Sequence, residues 1–251
     1  MAGHSHWAKI KRAKASNDAK RGRVWSKLAR KIIVAARVGG GKPDENLQLR
    51  YAIDEAKAEN MPNDTIDRAI KKGTGELGGE AYEPVTYEGY GPGGVAFLID
   101  CLTDNRNRTA PEMRKIFERS GGQLGATNCV AWMFEHKGSL VVSADRIDED
   151  ALVEIAVEAG ADDVQADGDV YEVVCSPAAF SAVKQALADQ NVETESAELA
   201  MLPRNTVQVD AEGARKVLAL MEAFEDHDDV QNVYANFDIP DEVMAEAEQA
   251  G

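Results

Sequence analysis

Between positions 140 and 201 the chain reads LVVS (140–143), DALVEIAVEA (150–159), DVQ (163–165), VYEVVC (170–175), AFSAVKQALADQ (179–190) and ESAELAM (195–201). Short β-branched runs alternate with stretches in which apolar residues recur every three or four positions, so the order is strand, helix, strand, strand, helix, strand. This is the split βαβ pattern of a ferredoxin-like sandwich, an antiparallel sheet with two helices on one face. It fills 137–203 and leaves fragments on either side.

The downstream fragment predicts a strand at 206–209, a helix at 211–224 and a strand at 232–237, too little to bury a core alone. Upstream, 81–136 supplies complementary pieces. A buried strand over 95–102 is entered through the turn Gly91-Pro92-Gly93-Gly94, and a helix runs to about 120 with Thr109 and Glu112 as a capping box and Pro111 inside its first turn. Gly121-Gly122 ends that helix, and a strand over 130–135 follows. The expected architecture is therefore α+β and multidomain. A discontinuous α+β sandwich built from 81–136 with 204–240 carries the 137–203 unit as an insertion, and residues after Pro240 form a short solvated tail. Residues 1–80 read as a basic arm followed by a helical bundle. Its long first helix stops at Gly39-Gly40-Gly41, a second follows Pro43 and Asp44 with Leu49, Ala52, Ile53 and Ala56 inward, and a third runs over 63–72 until Gly73.

Charge divides the chain along the same lines. Positions 1–42 hold twelve bases and a single acid, Asp18, for a net +11, whereas the remaining 209 residues carry −27. A dense positive segment is the footprint of a protein that neutralises phosphates; a uniformly acidic chain would be repelled by them. At about 100° per residue, Lys20, Arg23, Lys27, Arg30, Lys31 and Arg37 fall within roughly a third of one helix circumference. Val24, Trp25, Leu28, Ala29, Ile32, Ala35 and Ala36 lie opposite, so this helix is expected to pack its apolar stripe and present a cationic rail. Lys9, Lys11, Arg12 and Lys14 precede it in a segment too polar to fold alone. With Lys20, Arg21, Arg23, Lys27, Arg30 and Lys31 they are the candidate nucleic-acid contacts.

A second basic locus stands out after residue 80, where 11 bases face 34 acids and five of the bases, Arg106, Arg108, Arg114, Lys115 and Arg119, crowd into 14 positions. Asn105-Arg106-Asn107-Arg108 leads into the N-terminus of the capped helix, whose free N–H groups already favour an anion, and guanidinium forks there could hold phosphate. The competing reading is that these arginines pair with Asp100, Asp104 and Glu118 to brace a domain interface.

Other chemistry is excluded. Cys101, Cys129 and Cys175 have no CxxC spacing and suggest reduced thiols. The four histidines are not spaced for a catalytic metal, Gly91-Pro92-Gly93-Gly94 lacks the lysine of a phosphate loop, and no serine sits in a nucleophile elbow. Ala2-Gly3-His4 could wrap Cu(II) or Ni(II) only after loss of Met1. Trp132, Met133 and Phe134 alternate with nothing charged and are expected in the core in preference to forming a base-stacking platform. No secretory signal or membrane span is seen, while the Arg- and Lys-rich opening could serve as an organelle transit peptide.

The segments MAGHSHWAKIKRAKASNDAKRGRVWSKLARKIIVAARVGGG (1–41), NMPNDTIDRAIKKGTGEL (60–77), YEGYGPGGVAFLIDCLTDNRNRTAPEMRKIFERSGG (87–122) and VAWMF (130–134) closely resemble the YebC/PmpR family. The resemblance runs from Met1 to about Asp238 and departs locally: His6 stands where a lysine is common, Pro111 occupies an unusual slot, and Asn128-Cys129 replaces a small pair. The family pattern begins at the first residue, which implies that the basic arm belongs to the mature protein. The resemblance implies a cytoplasmic, non-enzymatic protein with a helical domain and two α+β domains, using no cofactor, metal or small-molecule substrate. Family members are described as DNA-binding transcriptional regulators. Others are placed on the ribosome as translation factors easing synthesis of proline-rich stretches, which implies rRNA or tRNA and basic ribosomal proteins as partners.

Overall fold

The computed structural model describes residues 18–78 and 81–239, with the side chains of the first helix described from Gly22 onward. Helix α1 (Asp18–Gly39) packs on α2 (Leu47–Ala58) and α3 (Asn63–Gly73) through Leu28, Ile32, Ala36, Leu49, Ala52, Ala56, Ile66 and Ala69. Asn46 knots the first two helices together. Its side-chain carbonyl accepts the Leu49 N–H at 3.1 Å and caps α2, while its amide donates to the carbonyls of Ala35 and Gly40, both at 2.8 Å. Gly73 lets α3 lie directly on α1, since a Cβ there would stand 2.5 Å from the Ile33 carbonyl oxygen.

The first sheet has the order β3-β1-β2-β9, from β1 (Glu83–Tyr90), β2 (Ala96–Thr103), β3 (Gln123–Leu124) and β9 (Val230–Ala235). Helices α4 (Arg106–Arg119) and α7 (Ala211–Glu225) cover one face. There Phe117 meets Phe97 edge-on at 6.1 Å and Phe224 at 4.8 Å between ring centroids, within a core that includes Ile99, Met113 and Leu220. The second sheet, order β5-β6-β4-β7, is antiparallel throughout and comprises β4 (Phe134–Ser143), β5 (Ala161–Asp167), β6 (Val170–Cys175) and β7 (Thr194–Pro203). With α5 (Glu149–Glu158) and α6 (Phe180–Asp189) packed on Leu140, Val142, Val173 and Cys175, it is the expected ferredoxin-like arrangement. Chain segments on both sides of it feed the first sheet, so the second is an insertion.

A separate cluster joins the two sheets. Ala96, Leu98 and Tyr234 of the first meet Val174, Ala200 and Leu202 of the second. Strand β2 is thus covered on both faces, which is why AFLIDCL reads as an apolar run broken only by Asp100 instead of alternating. Two short strands, β8 (Val207–Gln208) and β10 (Phe237–Asp238), pair in parallel.

The structure corrects four details. Strand β1 was unforeseen because EPVTYEGY carries Pro84, two glutamates and a glycine, and its inward residue Glu88 is charged. Helix α4 begins one turn before the expected capping box: Asn105 is its cap, accepting the Arg108 N–H at 3.2 Å, and Thr109 is buried within it. Pro111 accordingly lies in the second turn. The strand expected at 130–135 starts later, after a 3₁₀ turn at Ala131–Met133, and continues as one strand to Ser143 through position 137. Trp132 is 65% exposed instead of buried, whereas Phe134 is in the core.

Candidate nucleic-acid interface

The two basic loci, separated by some 80 positions in sequence, converge on one carboxylate. Asp229 follows the turn after α7 and is buried. It accepts hydrogen bonds from Arg108 Nη2 at 2.7 Å and Thr109 Oγ1 at 2.8 Å, and Arg30 Nη1 of α1 stands 3.4 Å from its other oxygen. Burial pushes this carboxyl up, but the hydrogen bonds from Arg108 and Thr109 and the charges of Arg108 and Arg30 outweigh it and hold Asp229 below the usual aspartate range. Arg108 is raised in turn, chiefly by its bond to Asp229.

The turn Glu225-Asp226-His227-Asp228-Asp229 offers α1 a row of acceptors. Arg23 Nη1 pairs with Asp226 at 2.7 Å, Lys27 Nζ donates to the Glu225 carbonyl at 2.6 Å, and Arg30 donates to the Asp228 carbonyl. The Arg30 guanidinium also lies 5.3 Å from the centre of the Tyr82 ring. His227 braces the turn, accepting the Asp229 N–H on Nδ1 at 3.1 Å and bonding Glu112 through Nε2 at 3.0 Å. The rail expected to face a partner is therefore seated, over Arg23, Lys27 and Arg30, on the protein's own acidic turn. Sequence spacing could place these cations on one face; only the fold could bring a turn 200 residues away against it.

The remaining candidates divide similarly. Lys31 pairs with Glu55 at 2.5 Å, Arg106 with Glu83 at 2.7 Å, and Arg108 also with Asp104 at 2.9 Å. Of the bracing acids considered for Arg106 and Arg108, Asp104 serves; Asp100 instead accepts from Thr86 on the neighbouring strand of the same sheet at 2.9 Å, and burial raises its carboxyl. Lys9, Lys11, Arg12 and Lys14 lie outside the described residues, as do Ala2, Gly3 and His4. Lys20 and Arg21 are on α1, their side chains not described.

Exposed cations that make no ion pair among the described residues are Arg37 on α1, Arg50 and Lys57 on α2, Arg68, Lys71 and Lys72 on α3, Arg114, Lys115 and Arg119 on α4, Lys184 on α6 and Arg215 on α7. Lys115 and Arg119 follow Arg108 at intervals that keep them on one helix face, so a cationic stripe leads away from the Asp229 cluster along α4. The α3 group escaped sequence reading because Asp64 and Asp67 interrupt it; its signal is the spacing of Arg68, Lys71 and Lys72 opposite Ile66, Ala69 and Gly73. Among the described residues no group of three or more His, Cys, Asp or Glu is gathered to hold a metal ion, and no helix is long and apolar enough to cross a membrane.

The family described as "TACO1/YebC protein N-terminal domain" matches residues 5–76, and "TACO1/YebC second and third domain" matches 82–237. A probable transcriptional regulatory protein of Natranaerobius thermophilus is 55% identical over 247 residues, covering 97% of this chain and 99% of that one. One of the same description from Syntrophobacter fumaroxidans is 56% identical over 245 residues, covering 97% and 98%. The crystal structure of a conserved hypothetical protein from Aquifex aeolicus superimposes with a TM-score of 0.81 at 50% identity, over 91% of this chain and 94% of that one.

Proposed function

The chain belongs to the TACO1/YebC family, and on that premise we propose that it is a non-enzymatic, cytoplasmic, nucleic-acid-binding regulator of gene expression, in first place a DNA-binding transcriptional regulator. The observation that carries this reading is the polarity of the chain, +11 over positions 1–42 against −27 over the rest. Relatives bearing the name probable transcriptional regulatory protein support it.

Lys9, Lys11, Arg12, Lys14, Lys20 and Arg21 are assigned the primary phosphate contacts. Arg23 and Lys31, each about two-fifths exposed, and Arg106, which is more open, can add to them. Lys27, Arg30 and Arg108 act mainly by holding α1 against the α+β body. Among the described residues no exposed helix carries a set of Asn, Gln and Arg base readers, so binding is sequence-tolerant and steeply salt-dependent, with log K falling by about 0.9 per log unit of salt for each phosphate neutralised.

A second reading, a ribosome-associated translation factor, is favoured by the strongly acidic body. A long duplex repels such a surface, whereas a mixed surface of rRNA, tRNA and basic ribosomal proteins can orient it. Sucrose-gradient sedimentation of lysate beside mobility shifts with duplex DNA separates the two. Co-migration with ribosomal particles, abolished when Lys9, Lys11, Arg12 and Lys14 are changed to Ala, selects translation. Duplex shifts lost in the same variant, with no ribosomal co-migration, select transcription. Nucleic-acid affinity unchanged by the four substitutions overturns both.

A further inference from the structure

We propose that Trp132 is a preformed stacking platform for an unpaired base of single-stranded nucleic acid, with Arg204 beside it for the phosphate. The proposal rests on the nucleic-acid reading above and adds a contact that α1 and the arm do not supply.

Trp132 is the only aromatic among the large apolar side chains exposed in the described residues, and its ring makes no aromatic or cation contact there. It is nevertheless held. The indole N–H donates to the Cys129 carbonyl at 3.1 Å, and the Tyr90 hydroxyl donates to the same oxygen at 3.3 Å. The loop behind it is fastened by the buried carboxylate of Glu88, which accepts the N–H groups of Asn128 at 2.6 Å and of Val130 and Ala131, both at 2.8 Å. The Glu88 carboxylate is buried on strand β1 and matched by three donors of one loop, and that loop holds out an indole that is 65% exposed. Such an anchor loses little rotamer freedom on binding.

The surroundings select the occupant. Positions 120–134 contain no acid and no base, in a chain with 44 acids. The loop itself therefore adds no charge that would repel a polyanion, and the Glu88 carboxylate behind it is buried and matched. Around Trp132 the exposed residues are Gly125, Ala126, Thr127 and Asn128, small or polar groups that admit a base edge but form no apolar rim of the kind that encloses a protein hot spot. The adjoining cation is Arg204, whose N–H bonds the Met133 carbonyl at 2.8 Å. Its side chain is 62% exposed, and its carboxylate neighbour, Glu135, is 3.8 Å away. An exposed aromatic ring with a cation one strand away is a combination that takes a stacked base and its phosphate, and a duplex, whose bases are already stacked, does not offer an unpaired base.

The test is fluorescence anisotropy of the full-length protein with a labelled 20-nucleotide oligouridylate, beside a duplex of equal length, at low salt. Base–aromatic stacking corresponds to about 5- to 160-fold in affinity. Trp132→Ala is expected to weaken oligouridylate binding about tenfold and duplex binding less than twofold. Trp132→Phe is expected to restore most of the affinity, and the fall in tryptophan emission on adding oligouridylate should be smaller in it, Trp7 and Trp25 being the tryptophans that remain. Unchanged oligouridylate affinity in Trp132→Ala, with an unaltered thermal midpoint, overturns the stacking role and leaves the exposed indole to a protein contact; the nucleic-acid reading survives if the arm substitutions still abolish binding. A wild-type protein that binds neither probe overturns both.

Discussion

Replacing Asp229 by Asn keeps the side chain's shape and removes its charge at the point where α1, α4 and the turn after α7 meet. The wild-type carboxylate accepts from Arg108 at 2.7 Å and Thr109 at 2.8 Å, with Arg30 3.4 Å away. A hydrogen bond to a charged group is worth about 1.5–3 kcal/mol against about 1 for a neutral one. One of the amide's two ends also presents N–H groups to donors. Arg108 is 44% exposed and recovers part of its loss from water, whereas Arg30 is only 18% exposed. The expected destabilisation is about 2 kcal/mol near neutral pH, or roughly 4–8 °C in Tm for a chain of this size. Urea unfolding of both proteins from pH 8 to pH 3 measures it. Because the folded carboxyl is held below its unfolded value, its contribution is fully present above about pH 5 and is lost as pH falls through the folded pKa, so the two stabilities should converge toward pH 3. A difference under about 0.5 kcal/mol at pH 7, or one as large at pH 3 as at pH 7, would refute the assignment of Asp229 as a charged tie.

Two further outcomes follow from packing and burial. Gly73→Ala should cost about 1–3 kcal/mol in urea unfolding, because its methyl must displace the Ile33 carbonyl of α1; a neutral effect would mean that the helices part without loss. Cys101 is buried, and desolvation followed by the charges of Asp229 and Asp100 pushes its thiol up to about 12. Cys175 is buried and raised as well, so a thiol reagent at pH 8 should label Cys129 first in the native protein and all three cysteines only after denaturation, as read by mass spectrometry. Prompt native labelling of Cys101 would contradict the packing of β2.

The strands and helices of the second sheet were legible because each is long, periodic and built from apolar residues facing one core: Val170–Cys175 matches the expected strand at both ends. Strand β1 was illegible for the opposite reason, since its inward Glu88 is compensated by N–H groups some 40 positions away and leaves no local apolar signature. Trp132 misled in the same way. It lies in an apolar string, VAWMF, whose members separate only when the 3₁₀ turn at Ala131–Met133 rotates one of them outward.

What the sequence by itself determined is composition-borne: the helical, basic front end, the α+β body, the split βαβ insertion and the opposition of charge between them. Local periodicity and charge counts are properties of neighbours along the chain. What only the tertiary structure decided is which charges remain available. Arg23, Lys27 and Arg30 lie on one face of α1 by spacing alone, but a turn 200 residues later occupies that face. A cation's availability depends on what stands within a few ångströms of it, and folding chooses those neighbours from any distance in sequence.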